Sequence, residues 1–192
     1  MKSSALSWRL LVLLSFVLLA LVGRVALPFF PHLPNFAPLD AIALFSGAYL
    51  ARRWQAVLVP LLSVWLTDLV LNYHYTGHLE LFYGGFYWQY GCYALLALLA
   101  GAGLRQPTVL RVAGAGVGAA VLFFLVSNFG VWVGSTMYPH TLTGLGTCYV
   151  AALPFFTHSL VSDLVYCTVL FGGFALAQWQ VPVLRQPITV AA

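Results

Sequence analysis

The sequence predicts an all-α membrane protein, a compact S-component-like bundle of six transmembrane helices with both termini cytoplasmic, spanning 1–192 as a single domain. Three observations predict it. The chain is 62% hydrophobic and only 6% charged, whereas a soluble domain carries about a quarter charged residues. Eight Lys+Arg and four Asp+Glu are too few to cover a water-exposed surface of this size. The arginines and the lysine then fall almost entirely in alternate connections between apolar runs. That excludes a nucleic-acid binder as well, because the cations sit in small groups at helix ends and form no basic stripe.

A span needs about 20 apolar residues, fewer where the helix is buried in protein. On that measure the helices cover about 10–27, 38–51, 54–73, 87–104, 112–134 and 155–178. The first, with Lys2 and Arg9 ahead of its apolar run, imitates a signal peptide. No small-x-small cleavage site stands before Pro28, so it reads as a retained helix. Pro28, Pro31 and Pro34 end it, and Pro38 opens the second helix, where proline suits the first turn. Ala43, Gly47 and Ala51 recur every four residues on that helix and predict close helix–helix packing. The third helix ends in a loop rich in Tyr, His and Gly, His74–Phe86. Arg105–Arg111 is a short basic turn before the fifth helix, and Ser135–Tyr149 is a Gly- and Thr-rich loop before the sixth.

Lys2, Arg9, Arg52, Arg53, Arg105, Arg111 and Arg185 all fall on one side of this arrangement. By the positive-inside rule that side is cytoplasmic, and only Arg24 breaks the pattern. The predicted location is the bacterial cytoplasmic (inner) membrane, multi-pass, with lipid around the bundle. The five histidines, His32, His74, His78, His140 and His158, fall in or beside the outer loops. Asp40 and Glu80 are expected at the outer surface, and Asp68 and Asp163 one to two turns inside their helices. Ligand-capable groups on one side predict a site open to that side.

Carboxylates inside hydrocarbon cost a few kcal/mol unless paired or hydrated. Asp68 and Asp163 therefore read as walls of a polar pocket, as a structural ion pair with Arg24, or as both. Cys92, in YWQYGCYALL, reads as a small buried residue, as a disulfide partner of Cys148, or as a soft metal ligand. His74 and His78 have the i, i+4 spacing of a helical metal pair, with Glu80 near, but their segment contains Gly and joins two helices. The run AGAGVGAA at 113–120 lacks a preceding strand and a following Lys-Ser/Thr, so it is no phosphate loop. Gly114/Gly118 and Gly116/Ala120 instead predict helix contact. Asn128 with Phe129, Trp132 and Tyr138 fits either an interfacial aromatic belt or a ligand pocket. No HExxH, CxxC or Ser/His/Asp signature occurs, and the expectation is a transporter or binding protein rather than an enzyme, with no prosthetic group.

The stretches NFAPLDAIALFSGAYL (35–50) and SNFGVW…MYPHTLTGLGTCYVAALPFF…DLVYCTVLFG (127–172) resemble a family of small bacterial membrane proteins of unknown function, labelled at most as putative transport proteins. More distantly, the topology and outer site resemble the S components of energy-coupling-factor vitamin transporters. Those proteins capture a vitamin under their outer loops, and most then use an energy-coupling transmembrane subunit and ATPases. Cys92 resembles the pocket cysteine of the solitary cobalamin transporters of BtuM type. That resemblance implies cobalamin as substrate, with Cys92 as axial ligand to corrin cobalt. It brings His32, Asn35, Asp68, Tyr90, Asn128, Tyr138 and His140 forward as substrate-binding candidates. Two alternatives are a transition-metal ion (cobalt, nickel or zinc) transporter using the outer His and Cys, and a non-transporting structural membrane subunit.

Overall fold

The computed structural model describes residues 2–26 and 36–185. The proline loop after the first helix, with His32 and Asn35, lies outside the described residues. The described chain is helical: α1 (Lys2–Ala26), α2 (Leu39–Tyr49), α3 (Arg53–Thr76), α4 (Phe86–Gly103), α5 (Val109–Gly134) and α6 (Leu142–Cys167). A π-helical turn, Thr168–Gly172, continues α6 into α7 (Gly173–Gln180), and the 3-10 turn Pro182–Arg185 follows. Four helices are long and apolar enough to cross a membrane, Trp8–Ala26, Arg53–Thr76, Val109–Gly134 and the continuous Leu142–Gln180.

The element at the centre is α2. All 11 of its residues are buried. At 1.5 Å per residue it is about 16 Å long, half the thickness of a hydrocarbon core. It is therefore a half-helix enclosed by its neighbours, with α3, α4, α5 and α6 all packed on it. Small residues permit this enclosure. Ala41 and Ala43 are fully buried, and a Cβ at Gly47 would fall inside the Ala97 carbonyl of α4. Ala51 lies just past the helix and is only half-buried.

The small residues of α5 divide differently. Gly116 meets Cys167 and Leu164 of α6, and Ala119 and Ala120 are buried. Gly114 and Gly118 face away, with open space where a Cβ would be. Of the two rows in AGAGVGAA, contact is thus made by Gly116/Ala120 alone, because the rows lie about 200° apart on a helix.

The largest departure from the sequence reading is at α6. The helix begins at Leu142, inside the stretch expected to be a loop, and Pro154 lies within it. Thr141 supplies the start: its side chain accepts from the Gly144 backbone N–H at 3.1 Å, satisfying one of the exposed donors of the first turn. The Gly and Thr that suggested a loop are the cap and first turn of a helix.

One end of the bundle is filled by rings. Phe45 and Tyr49 of α2 meet Phe171 and Phe174 with centroids 4.6–5.8 Å apart, and Phe16 of α1 closes the cluster at 6.2 Å from Phe174. Arg9 stacks over Phe174 at 5.9 Å. The N-terminus of α2 points the opposite way, toward the polar residues.

Candidate functional site

Beyond the N-terminus of α2 lies a cavity of about 270 Å³, walled by α2, α4, α5 and α6 and reached by Arg24 of α1. Each helix contributes polar and aromatic side chains at helical spacing. Gln89 and Tyr93 come from α4, Phe124, Asn128 and Val131 from α5, and Phe155, Ser159 and Asp163 from α6. Phe123, Ser127 and Phe156 complete the wall. Residues four apart share one helix face, which is why these side chains reach one space.

Two carboxyls form the deepest part. Asp40, in the first turn of α2, is 6% exposed, and Asp163, in the middle of α6, is 2% exposed. The expectation of Asp40 at the outer surface is corrected: α2 starts inside the bundle, so its first turn is buried. The acid suits that position, because a helix N-terminus carries partial positive charge. Neither Asp40 Oδ1 nor Asp163 Oδ2 receives a hydrogen bond from any other described group. Both residues line the same cavity, Asp40 from α2 and Asp163 from α6. Ser162, beside Asp163, donates to the Ala37 carbonyl at 2.9 Å and fixes α6 against the chain entering α2.

Arg24 forms the second group. Its Nη2 donates to Asp68 Oδ1 at 2.7 Å, and its Nη1 donates to Thr67 Oγ1 and to the Val64 carbonyl. Tyr90 donates to the other oxygen, Asp68 Oδ2, at 3.1 Å. Asp163 is not part of this ion pair: Asp68 is the acid that meets the guanidinium. Tyr83, in the connection between α3 and α4, stands within electrostatic reach of this network. Burial, and then the Asp68 charge, push its phenol up.

The other expected site residues are dispersed. Asn128 lines the cavity, whereas Tyr90 and Asp68 stand behind Arg24. Cys92 is 2% exposed and does not line the cavity. It falls three residues from Gln89 on the stripe of α4 adjacent to the Gln89/Tyr93 face. All three cysteines are free, and Cys148 Sγ lies 3.5 Å from the Asn128 carbonyl. Tyr138 and His140 belong to the α5–α6 connection, where His140 packs edge-on against Trp132 at 5.4 Å, outside the cavity lining. His74, His78 and Glu80 are exposed. Among the described residues no three His, Cys, Asp or Glu side chains gather as a metal-binding group.

Sequence reasoning passed over Gln89, Tyr93, Ser127 and Ser159. Their signal is the i, i+4 pairing Gln89/Tyr93 and Ser159/Asp163, polar rows inside otherwise apolar helices.

No curated protein and no solved structure matches the chain. A family profile does match, over residues 4–184, and by that match the chain belongs to DUF6580, a family of unknown function.

Proposed function

We propose that this is a polytopic inner-membrane protein that binds a small solute in the α2–α4–α5–α6 cavity and serves its uptake from the outer face. The observation that carries the proposal is the presence of two buried acids, Asp40 and Asp163, on the wall of that cavity, each with one oxygen that has no hydrogen-bond partner among the described residues. Buried ionisable groups in apolar helices are costly, and in membrane proteins they mark substrate or ion pathways. A half-helix whose N-terminus ends at a polar cavity is also how secondary transporters build sites near the bilayer midplane. The arginine distribution, with Arg52, Arg53, Arg105, Arg111 and Arg185 on the cytoplasmic side, would put the cavity in the outer half.

The resemblance to cobalamin transporters points to a corrin ligated by Cys92. The geometry favours a smaller solute. The cavity volume, about 270 Å³, falls at the lower edge of small-molecule pockets, roughly 300–1,000 Å³, and the thiol stays off its wall. Capture in an outward pocket, as in S components, is retained in this reading.

Native mass spectrometry of the full chain released from micelles tests it. The expected result is a small-molecule adduct on the wild type that Ser127→Phe, which fills the cavity, removes. A wild type that carries no adduct, or an adduct that Ser127→Phe leaves in place, contradicts the proposal.

A further inference from the structure

The polar groups of the cavity differ in what they leave for a guest. Arg24 is already engaged: Asp68 matches its charge at 2.7 Å, and its Nη1 donates to Thr67 and to the Val64 carbonyl. Asp40 Oδ1 and Asp163 Oδ2 are enclosed by the protein, so a guest in the cavity does not reach them. Ser127 Oγ donates to the Phe123 carbonyl at 2.6 Å and Ser159 Oγ to the Phe155 carbonyl at 3.2 Å, which leaves both hydroxyls as acceptors. Asn128 gives one Nδ2 proton to the Phe124 carbonyl at 2.8 Å and keeps the second, together with its Oδ1. The Gln89 carboxamide is different. It lines the cavity, and among the described residues no group hydrogen-bonds it, so its N–H donors and its carbonyl oxygen are all open. Aromatic pairs flank these groups: Tyr93 stacks on Phe123 with centroids 5.5 Å apart, and Phe124 lies against Phe156 at 5.0 Å.

We infer that the cavity takes a small, neutral, planar solute bearing an amide, an N–H donor beside a carbonyl acceptor, and that Gln89 is the residue that reads this edge. The inference rests on the reading of the cavity as a solute site. Two amides satisfy each other reciprocally, N–H to carbonyl in both directions, so an amide guest completes Gln89 with no group left over. Gln89 is half-buried, and a guest that covers it without pairing it leaves a desolvated donor and acceptor unsatisfied. Asn128, on the neighbouring helix, has one N–H and one oxygen for the same guest, and the two serine hydroxyls accept from further donors. A charged guest finds less. An anion meets two acids on the wall and an arginine whose charge Asp68 has matched. A cation finds the unpartnered carboxyl oxygens closed off. The aromatic pairs favour a flat guest, which meets their rings in stacked or edge-to-face contact. The volume, about 270 Å³, suits a single substituted ring.

The experiment is isothermal titration calorimetry of the purified full chain in detergent, with empty micelles as the blank. Four probes of one shape differ only in the group they present. They are benzamide, the anion benzoate, the cation benzamidinium, and acetophenone, which keeps the carbonyl and loses the N–H donors. Benzamide should bind at least about tenfold more tightly than each of the other three, the margin expected when a buried polar group is left unpaired. Gln89→Leu should bring benzamide down to the affinity of acetophenone and leave acetophenone itself nearly unchanged. Benzoate, benzamidinium or acetophenone binding as tightly as benzamide overturns the inference while leaving the solute cavity standing. Benzamide affinity unchanged in Gln89→Leu overturns the role of Gln89. Should that variant not fold, the four-probe comparison on the wild type decides alone. Failure of all four probes to bind also overturns the inference, and the adduct sought by native mass spectrometry reports on the cavity independently.

Discussion

Arg24 Nη2 donates to Asp68 Oδ1 at 2.7 Å, joining the C-terminal end of α1 to α3 across 44 residues of sequence. Both side chains are nearly buried, at 12% and 11% exposure. Removing one partner of such a pair leaves an uncompensated charge and costs about 3–5 kcal/mol. Arg24→Ala should therefore lower the unfolding temperature of the detergent-solubilised protein sharply. Arg24→Ala combined with Asp68→Leu, which removes both charges, should recover most of the loss. A double variant no more stable than the single one would assign the cost to lost packing.

Gly47 of α2 packs directly against Ala97 and Ala100 of α4. Gly47→Leu has no room beside the Ala97 carbonyl and should cost at least the about 1–3 kcal/mol of an overpacked core. Gly114→Ala and Gly118→Ala, which point into open space, should leave stability unchanged or slightly raised, since Ala favours helix over Gly by about 1 kcal/mol. Thermal unfolding of the three variants checks the contrast. Equal losses at all three would mean that the outward face of α5 is also a packed surface.

Much of the fold is legible in the sequence, and the reasons for the exceptions are physical. The apolar runs locate α3, α4 and α5, and the apolar span Trp8–Ala26 of α1, within a few residues, because a long apolar stretch has few other structures open to it. The polar first turns of α1, from Lys2, fall outside the expected helix. The start of α6 is hidden because Gly and Thr weigh against a helix locally, whereas Thr141 acts as its cap. Of the two acids expected to wall a pocket, Asp163 lines the cavity, whereas Asp68 stands behind Arg24. Asp40 looks superficial only if α2 is taken as a full span. Its 11 residues, between Pro38 and the Arg52-Arg53 pair, are too few to cross a membrane, and that shortness is the clue that its first turn is buried. Which acid meets Arg24 depends on the tilt and rotation of α1, α3 and α6, which no spacing rule encodes.

Cys92 and Cys148 are buried and unlinked. After denaturation without reductant, alkylation followed by intact-mass measurement should find three reactive thiols. Cys92→Ala should leave solute affinity within about twofold of wild type, because a residue off the wall contributes no direct contact. Loss of binding in Cys92→Ala would restore the thiol to the site.

The account's central claim is that water and solute reach the Asp40–Asp163 cavity from outside the cell, while the aromatic cluster at the other end of α2 closes it below. Substituted-cysteine labelling in intact cells tests that most directly, in a background with Cys92, Cys148 and Cys167 replaced by Ala. A small, membrane-impermeant thiol reagent added outside should modify Ser127→Cys and Ser159→Cys and spare Phe174→Cys. Protection of both serine positions, with Phe174→Cys labelled instead, would contradict it.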